Sequence, residues 1–498
     1  MTTSPSAVRV RMAPSPTGFF HIGNARTALF NYLFVRHHKG TFVLRIEDTD
    51  LQRSNPDFEQ IIFDALAWLG LDFDESPARG GDCGPYRQSE RFPIYREYAD
   101  KLLAGGAAYA AYETTEELAA MKAAQQEQKL PPRYSGAHRD LSAAQRAAYE
   151  SEGRPAVLRL RVPDGETAWD DLVRGRISWQ NKEIDDFVIM KSDGSPTYNF
   201  ACAIDDALMK ISHVIRGEDG LSNTPRQLLL YSALGLDVPQ FAHLPFLLGR
   251  DRSKLSKRHG AVNLLDYAAQ GILPQAMFNY LALLGWNPGE GETQEIFSRE
   301  ELIEKFSLEH VNKAGAIFDV EKLAHVNTEY LRAMPIDEFI ALAKPHLPPF
   351  EIDEYARRAI DAGRERVRTM AEVSEVVSPA GKKEKVINLS TDLGGPTAYF
   401  ITDDFTVDEA GAAKHLNDVS NARLRQLRAR LEAISQWNHD AIEQALRSLA
   451  EELQIKPAEL IHPARMIVSG RTVGPSIFEL LEVLGRERVL RRMARLGD

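Results

Sequence analysis

Val8-Arg9-Val10-Arg11-Met12-Ala13-Pro14-Ser15-Pro16-Thr17-Gly18-Phe19-Phe20-His21-Ile22-Gly23-Asn24 changes character twice, and those two changes decide the fold. Val8 to Met12 is a short run of β-type residues. Pro14 to Gly18 breaks it, and a helical segment follows from His21 to His38, with Ile22, Ala25, Leu29 and Leu33 recurring along one face. Lys39-Gly40 supplies the cation and glycine expected at a helix C-terminus, and Thr41 to Ile46 is strand-like again. Strand, helix and strand within about forty residues predict a βαβ unit, hence a parallel sheet whose ligand crevice opens at the strand C-termini. The loop at residues 13–20 and Glu47-Asp48-Thr49-Asp50 both leave such ends, so both are expected to face one crevice.

The surrounding 498 residues are 44% hydrophobic and 26% charged, with a mean hydropathy of -0.32, which excludes a disordered, collagen-like or disulfide-stapled chain. At roughly 150 residues per domain the length suggests three or four domains. Cys83 and Cys202 are the only thiols and form no Cys-x-x-Cys pair, the pattern of a reducing compartment. The first ten residues lack a charged start followed by an apolar core. Apolar runs such as Tyr280 to Trp286 fall far short of the roughly 18 residues that span a bilayer, so a cytoplasmic protein with no membrane partner is expected.

From about residue 105 an Ala-, Glu- and Gln-rich stretch, ending at Leu130-Pro131-Pro132-Arg133, interrupts the βαβ pattern. Strand-like pieces at Ala156 to Val162 and Asp186 to Met190 mark it as an α+β insertion. The sheet then resumes, with Val214-Ile215-Arg216 and Phe246-Leu247-Leu248 reading as buried strands and Thr224 to Leu234 as the helix between them. Beyond about residue 335 the pattern is helical, with breaks at Pro345 to Pro349, Ser378-Pro379 and Ser390 to Pro396. The net charge of -11 predicts no attraction of the whole chain to a polyanion, yet residues 421–498 carry 13 Lys/Arg against 10 Asp/Glu. Arg364, Arg366 and Arg368 add a further basic stretch.

Two short motifs carry chemistry. His21-Ile22-Gly23-Asn24 stands at a helix start, where free amides and the positive end of the helix dipole suit a phosphate. Gly23 permits close approach of a nucleotide and His21 can donate to a phosphate oxygen. Alone, a histidine there is more often a cap. Lys254-Leu255-Ser256-Lys257-Arg258, preceded by Arg250-Asp251-Arg252-Ser253, places five cations within nine residues of a loop. In isolation that loop is a solvated basic turn. Together the two fit attack on the α-phosphate of ATP, where catalysis rests on in-line positioning and on neutralising the leaving pyrophosphate.

These motifs resemble the HIGH and KMSKS signatures of class I aminoacyl-tRNA synthetases. Arg11 to Gly18, Arg45 to Asp50, Gly84 to Arg91, Pro196 to Asn199 and Val214 to Pro225 are similar, more narrowly, to bacterial glutamyl-tRNA synthetases over residues 8 to about 335. The resemblance implies an α/β fold: a Rossmann-like parallel-sheet catalytic domain at 1–105 and 206–260 and an inserted domain at 106–205 that holds the tRNA acceptor end. A stem-contact domain at 261–335 and an all-α anticodon-binding region at 336–498 would follow. It implies a two-step reaction, in which glutamate and ATP (with Mg2+) form glutamyl-adenylate and tRNA(Glu) then takes the glutamyl group on its terminal ribose. His21, Lys254 and Lys257 would be catalytic. ATP would meet His21, Gly23, Asp219, Leu247, Leu248 and Lys257. L-glutamate, with two carboxylates and an ammonium, would meet Arg11, Ala13, Ser15, Glu47, Tyr198 and Arg216. Either arginine could take either carboxylate. Arg364, Arg366 and Arg368 would contact tRNA, and a monomer is implied.

Bland alternatives stand beside these roles. Arg11 shares its strand with Arg9, Arg216-Gly217-Glu218-Asp219 could be a turn with a local ion pair, and Tyr198 could be a packed strand tyrosine. The chain also departs from the pattern. Many relatives carry a cysteine-rich zinc site in the insertion, but Ala111-Tyr112-Glu113 and Ala137-His138-Arg139 stand there instead, so no structural zinc is expected. Ala207 and Gly220 occupy positions where a histidine is frequent, and Cys202 replaces a polar contact with what reads as a small packing residue. A glutaminyl-tRNA synthetase has a β-barrel anticodon module, unlike this helical C-terminus. A small nucleotidylyltransferase would explain the first motif alone, and a non-catalytic tRNA-binding relative would have lost the catalytic cations that are present here.

Overall fold

The computed structural model describes residues 7–50, 52–130, 133–256, 258, 262–289, 291–344, scattered positions from 357 to 405, and 407–495. The described chain forms two compact units. One comprises residues 1–266 with 277–319, the other residues 267–276 with 320–498. Lys257, Arg366 and the three proline-containing breaks lie outside the described residues.

The first unit begins as the sequence reading expects. β1 (Arg9–Met12), α1 (Ile22–His37) and β2 (Thr41–Leu44) form a βαβ unit, with Arg9 opposite Thr41 and Met12 opposite Leu44 in parallel register. α1 is buried round almost its whole circumference, Ile22, Arg26, Asn31 and Phe34 included, because it is a central helix packed on both sides. Its end differs from expectation. The helix stops at His37, and the left-handed turn falls on Lys39 at φ 54°. Gly40 is needed for close approach instead: a Cβ there would lie 2.1 Å from the Val8 carbonyl oxygen, which accepts the Thr41 N–H that starts the β1–β2 ladder. Gly40→Ala should therefore destabilise this unit by about 2 kcal/mol, since backbone rather than a yielding side chain fills the space. A melting temperature equal to that of the parent would contradict this.

After α2 (Pro56–Trp68) and α3 (Phe92–Ala104) comes the insertion: β3 (Ala108–Ala111), α4 (Thr115–Glu127), α5 (Ala143–Ser151) and β4 (Val157–Leu160). β5 (Glu166–Asp171), β6 (Gly175–Gln180) and β7 (Val188–Met190) follow. β3, β4 and β7 make an antiparallel sheet. α6 (Tyr198–Leu208) leads to β8 (His213–Gly217), α7 (Thr224–Leu234) and β9 (Gln240–Leu244), a second parallel βαβ unit. β1 lies beside the start of β8, with the Ser212 N–H donating to the Arg9 carbonyl at 2.9 Å.

Here the structure corrects the reading of residues 246–248. The strand that pairs with β8 is Gln240–Leu244, whereas β10 (Leu247–Leu248) pairs in parallel with β11 (Ala316–Ile317) in a separate two-stranded sheet. Gln240 and His243 disguised β9 as polar chain. β5 and β6 were also invisible beneath the charged Glu166 and Asp170-Asp171. Their hairpin continues the main sheet in the order β6-β5-β9-β8, Asp171 standing opposite Phe241. Val43, Tyr95, Phe200, Val214, Leu230 and Phe241 belong to one apolar core beneath this sheet.

The second unit is largely helical. After α8 (Val320–Ala333) and α9 (Ile336–Ala343), the described helices are α10 (Glu409–His415), α11 (Asp418–Glu432), α12 (His439–Glu452), α13 (Ala458–Ser469), α14 (Ile477–Leu484) and α15 (Arg486–Ala494). Three- and four-residue spacing puts Leu424, Leu427 and Leu431 of α11 on one buried stripe, packed with Ile442, Leu446, Leu460 and Leu481. Val376–Val377 and Lys383–Glu384 form a short antiparallel pair, the one departure from helix among the described residues of this unit.

Candidate active site

A cavity of about 590 Å³ opens at the C-terminal ends of β1 and β8. It is lined by Arg11, Ala13, Ser15, His21, Gly23, Glu47, Tyr198, Arg216, Asp219, Leu247 and Lys254. The loop between β1 and α1 is tied to the acidic stretch by the Glu47 N–H, which donates to the Pro14 carbonyl at 3.0 Å. Glu47 thus reaches the cavity. Asp48 does not, because it accepts the backbone N–H and hydroxyl of Ser89 at 2.8 and 2.6 Å.

His21 is the N-cap of α1. Its Nδ1 accepts the Gly23 N–H at 2.9 Å, so in the neutral ring the proton sits on Nε2. Burial, and then Lys254, lower its pKa and favour that neutral donor form. Capping and ligand donation are therefore compatible roles for one ring. Lys254 lies 4.3 Å from the centroid of Phe246, which also lines the cavity. Its hairpin closes through the Gly249 N–H to the Ser253 carbonyl at 2.9 Å, with Arg252 left-handed at φ 61°. Arg250 and Arg258 are engaged elsewhere, by Asp319 and by Asp251 with Ser253.

Beneath the cavity floor lies a buried chain of charges. Arg11 donates through Nε and Nη2 to Asp206 at 3.0 and 3.3 Å, leaving Nη1 for a ligand. Arg45 donates to Asp206 at 2.7 Å and to Glu47 at 2.9 Å. Burial alone would raise the Asp206 carboxyl, but Arg11 and Arg45 hold it down to about 2. Burial pushes Glu47 above the usual carboxylate range, partly offset by Arg45 and Arg11, so an ammonium ligand would favour its ionised form. Cys202 is more than packing: its thiol lies 3.5 Å from Asp206 Oδ2, and burial beside Asp206 pushes it up to about 12.

Arg216 is 7% exposed. Its Nη2 donates to Thr224 Oγ1 and Gln227 Oε1, both at 2.9 Å, its Nε to His243 Nε2 at 3.1 Å, and its buried Nη1 has no partner. No local ion pair holds the turn after β8: Glu218 binds Arg174 and the Phe246 N–H instead. Tyr198 opens α6 and does not sit in a strand.

One residue expected at the nucleotide, Leu248, is not brought to the cavity. Leu248 is tied to Phe318 by its carbonyl at 2.9 Å, and its side chain stands over Gly315. In the second unit, two of the arginines expected at tRNA are held by neighbours: Arg364 donates to the Met334 carbonyl at 2.6 Å and pairs with Asp361, while Arg368 pairs with Glu321. Sequence reasoning overlooked Arg26, which lines the cavity from α1 with its pKa lowered to about 10 by burial. Its only signal was a cation inside an apolar helix. It also overlooked Asp171 and His243, which bond behind Arg216.

The two segments that replace zinc ligands do meet. The Tyr112 N–H donates to His138 Nδ1 at 3.0 Å, Tyr134 donates to Glu113 at 2.5 Å, and Tyr149 stacks on Tyr112 and lies tilted against His138. Among the described residues no group of three or more His, Cys, Asp and Glu side chains is placed to hold a metal ion. No described helix is long and apolar enough to cross a membrane.

A parallel sheet whose crevice is lipped by a histidine-capped helix on one side and a lysine hairpin on the other is the frame of a class I aminoacyl-tRNA synthetase. Residues 7–325 match the family described as tRNA synthetases class I (E and Q), catalytic domain, and residues 338–496 match an anticodon binding domain. The chain belongs to that family of class I synthetases for glutamate and glutamine. It is 49% identical to the glutamate–tRNA ligase of Moorella thermoacetica, over 98% of this chain and 97% of that one. It is 46% identical to that of Desulforudis audaxviator, over 98% and 96%. A crystal structure of a glutamate–tRNA ligase from Elizabethkingia meningosepticum, in complex with its amino acid, superposes with a TM-score of 0.83 at 33% identity, covering 99% of both chains.

Proposed function

We infer that this chain is a glutamate–tRNA ligase, activating glutamate with ATP and passing it to tRNA. The observation that carries the reading is the single cavity in which a phosphate-facing helix start, a lysine hairpin, two buried arginines and one buried carboxylate converge. That set matches the charges of the substrates. Glutamate brings two carboxylates, met by the remaining Nη1 of Arg11 and of Arg216, and one ammonium, met by Glu47 with help from Ser15 and the Ala13 backbone. Tyr198 adds a hydroxyl donor. A guanidinium left unpaired in a buried site is costly, so neutral glutamine is rejected.

ATP would enter as its Mg2+ complex, in which the cation would neutralise part of the phosphate charge. Gly23 and the first turn of α1 receive the α-phosphate, His21 donates Nε2–H to it, and Asp219 and Leu247 border the nucleotide. A carboxylate oxygen of glutamate attacks the α-phosphorus in line. The bond to pyrophosphate breaks, and Lys254 and Lys257 neutralise the leaving group. A ribose hydroxyl of the tRNA then attacks the acyl carbon and AMP departs. Basic positions of the second unit, Arg364, Arg366 and Arg368 among them, serve the tRNA.

The test is charging. Purified enzyme is assayed for pyrophosphate exchange and aminoacylation with glutamate and with glutamine, each against purified tRNAs for both amino acids. Glutamate alone should be attached. Charging of glutamine, or of neither amino acid, refutes the reading.

A further inference from the structure

Behind Arg216 lies a polar pair that the reaction outlined above does not use. His243 on β9 is fully buried and Asp171 on β5 is 4% exposed. His243 Nδ1 donates to Asp171 Oδ2 at 2.5 Å, while the same carboxylate's Oδ1 accepts the backbone N–H groups of Val173, Arg174 and His243. Arginine has only donors, so the ring nitrogen facing Arg216 Nε at 3.1 Å must be an acceptor. Asp171 fixes that tautomer by accepting the hydrogen bond from Nδ1–H, which keeps the proton on Nδ1. The position of Arg216 also requires that residue 220 carry no side chain. A Cβ on Gly220 would lie 2.6 Å from Arg216 Nε and 2.8 Å from its Cδ, atoms near the middle of the side chain rather than its movable tip.

We propose that Asp171 and His243 are positioning residues for substrate glutamate. Their directional hydrogen bond, together with the side-chain-free space at Gly220, holds the Arg216 guanidinium so that Nη1 faces the carboxylate. This rests on the reading of Arg216 as a glutamate anchor. The pair works as an orienting device because it fixes the rotation of the fork at Nε, while Thr224 and Gln227 accept from Nη2, which leaves Nη1 as the free donor. The chain carries glycine at the position where a histidine was expected, and the space so freed is where Arg216 lies.

The test is steady-state pyrophosphate exchange with tRNA present, reading KM for glutamate and for ATP separately. His243→Leu keeps bulk and removes the acceptor; it should raise the glutamate KM about ten-fold and leave the ATP KM within about two-fold. His243→Gln carries an amide oxygen to accept from Arg216 and an N–H for Asp171, and should recover most of that loss. Gly220→Ala should raise the glutamate KM by a similar factor through a different route, and it carries the test should His243→Leu not fold. Equal glutamate KM values for the leucine variant and the parent overturn the proposal. So do equal losses in the leucine and glutamine variants, or a rise in ATP KM matching that for glutamate. Arg216→Gln separates the two levels: if it leaves the glutamate KM unchanged, the anchor reading itself fails.

Discussion

Glutamate activation should fall about a thousand-fold in kcat/KM, about 4 kcal/mol, when Arg216 is replaced by glutamine, with most of the loss in the KM for glutamate. Two effects combine. The substrate loses a charge-assisted hydrogen bond to a carboxylate, and that carboxylate still has to leave water to enter the cavity. His243, Thr224 and Gln227 keep partial partners in the glutamine amide, so the fold should survive with a melting temperature close to the parent's. ATP, whose proposed contacts at His21, Gly23 and Asp219 are untouched by the change, should keep its KM within about three-fold. A glutamate KM unchanged within error, measured by pyrophosphate exchange, would remove Arg216 from the site.

The second large effect concerns stability. Asp206 is 1% exposed and is the shared partner of Arg11 and Arg45. Asp206→Ala would leave two buried guanidinium groups facing one another, a loss of about 3–5 kcal/mol, because breaking a buried pair costs far more than the pair contributes. The melting temperature of this unit should drop by roughly 5–8 °C. A drop below about 2 °C would show that water or a rearranged carboxylate takes over. Acid titration gives an independent check. The folded carboxyl titrates at about 2, below its unfolded value, so its stabilisation is complete above roughly pH 4 and is lost as pH falls toward 2. The stability gap between the parent and Asp206→Asn should therefore be constant above that window and close within it.

Much of this site could be read from residues alone, and the reasons are local. The Pro/Gly break between a β-type run and a 3.6-residue apolar period places β1, the loop and α1, and with them Arg11, Ser15, His21 and Gly23. The helices of the second unit were legible from their leucine stripes. What stayed hidden depended on tertiary partners. β9 carries a buried histidine whose Nδ1–H donates to a carboxylate 72 residues earlier in the chain. β5 is rich in acids, and nothing local distinguishes a buried Asp171 from the exposed Asp170 beside it. Leu247 and Leu248 were taken as a pair, but in so short a strand adjacent side chains face opposite ways, and only Leu247 lines the cavity. Arg45 and Asp206 stand 161 residues apart in the chain, so no local pattern shows that they pair.

The hairpin β5–β6 belongs by chain order to the insertion, yet Asp171 at its end bonds to His243 and the hairpin extends the main parallel sheet. The catalytic fold is therefore not separable from its insertion by cutting at the insertion's ends. A minimal enzyme engineered by excising residues 106–205 would retain every residue proposed here to touch ATP, and all those for glutamate except Tyr198. It would nonetheless release the His243 tautomer and leave Arg216 without a fixed direction. The modular boundary that the sequence suggests and the boundary of the working amino-acid pocket run through different places, and a trimmed design would need to carry the hairpin with it.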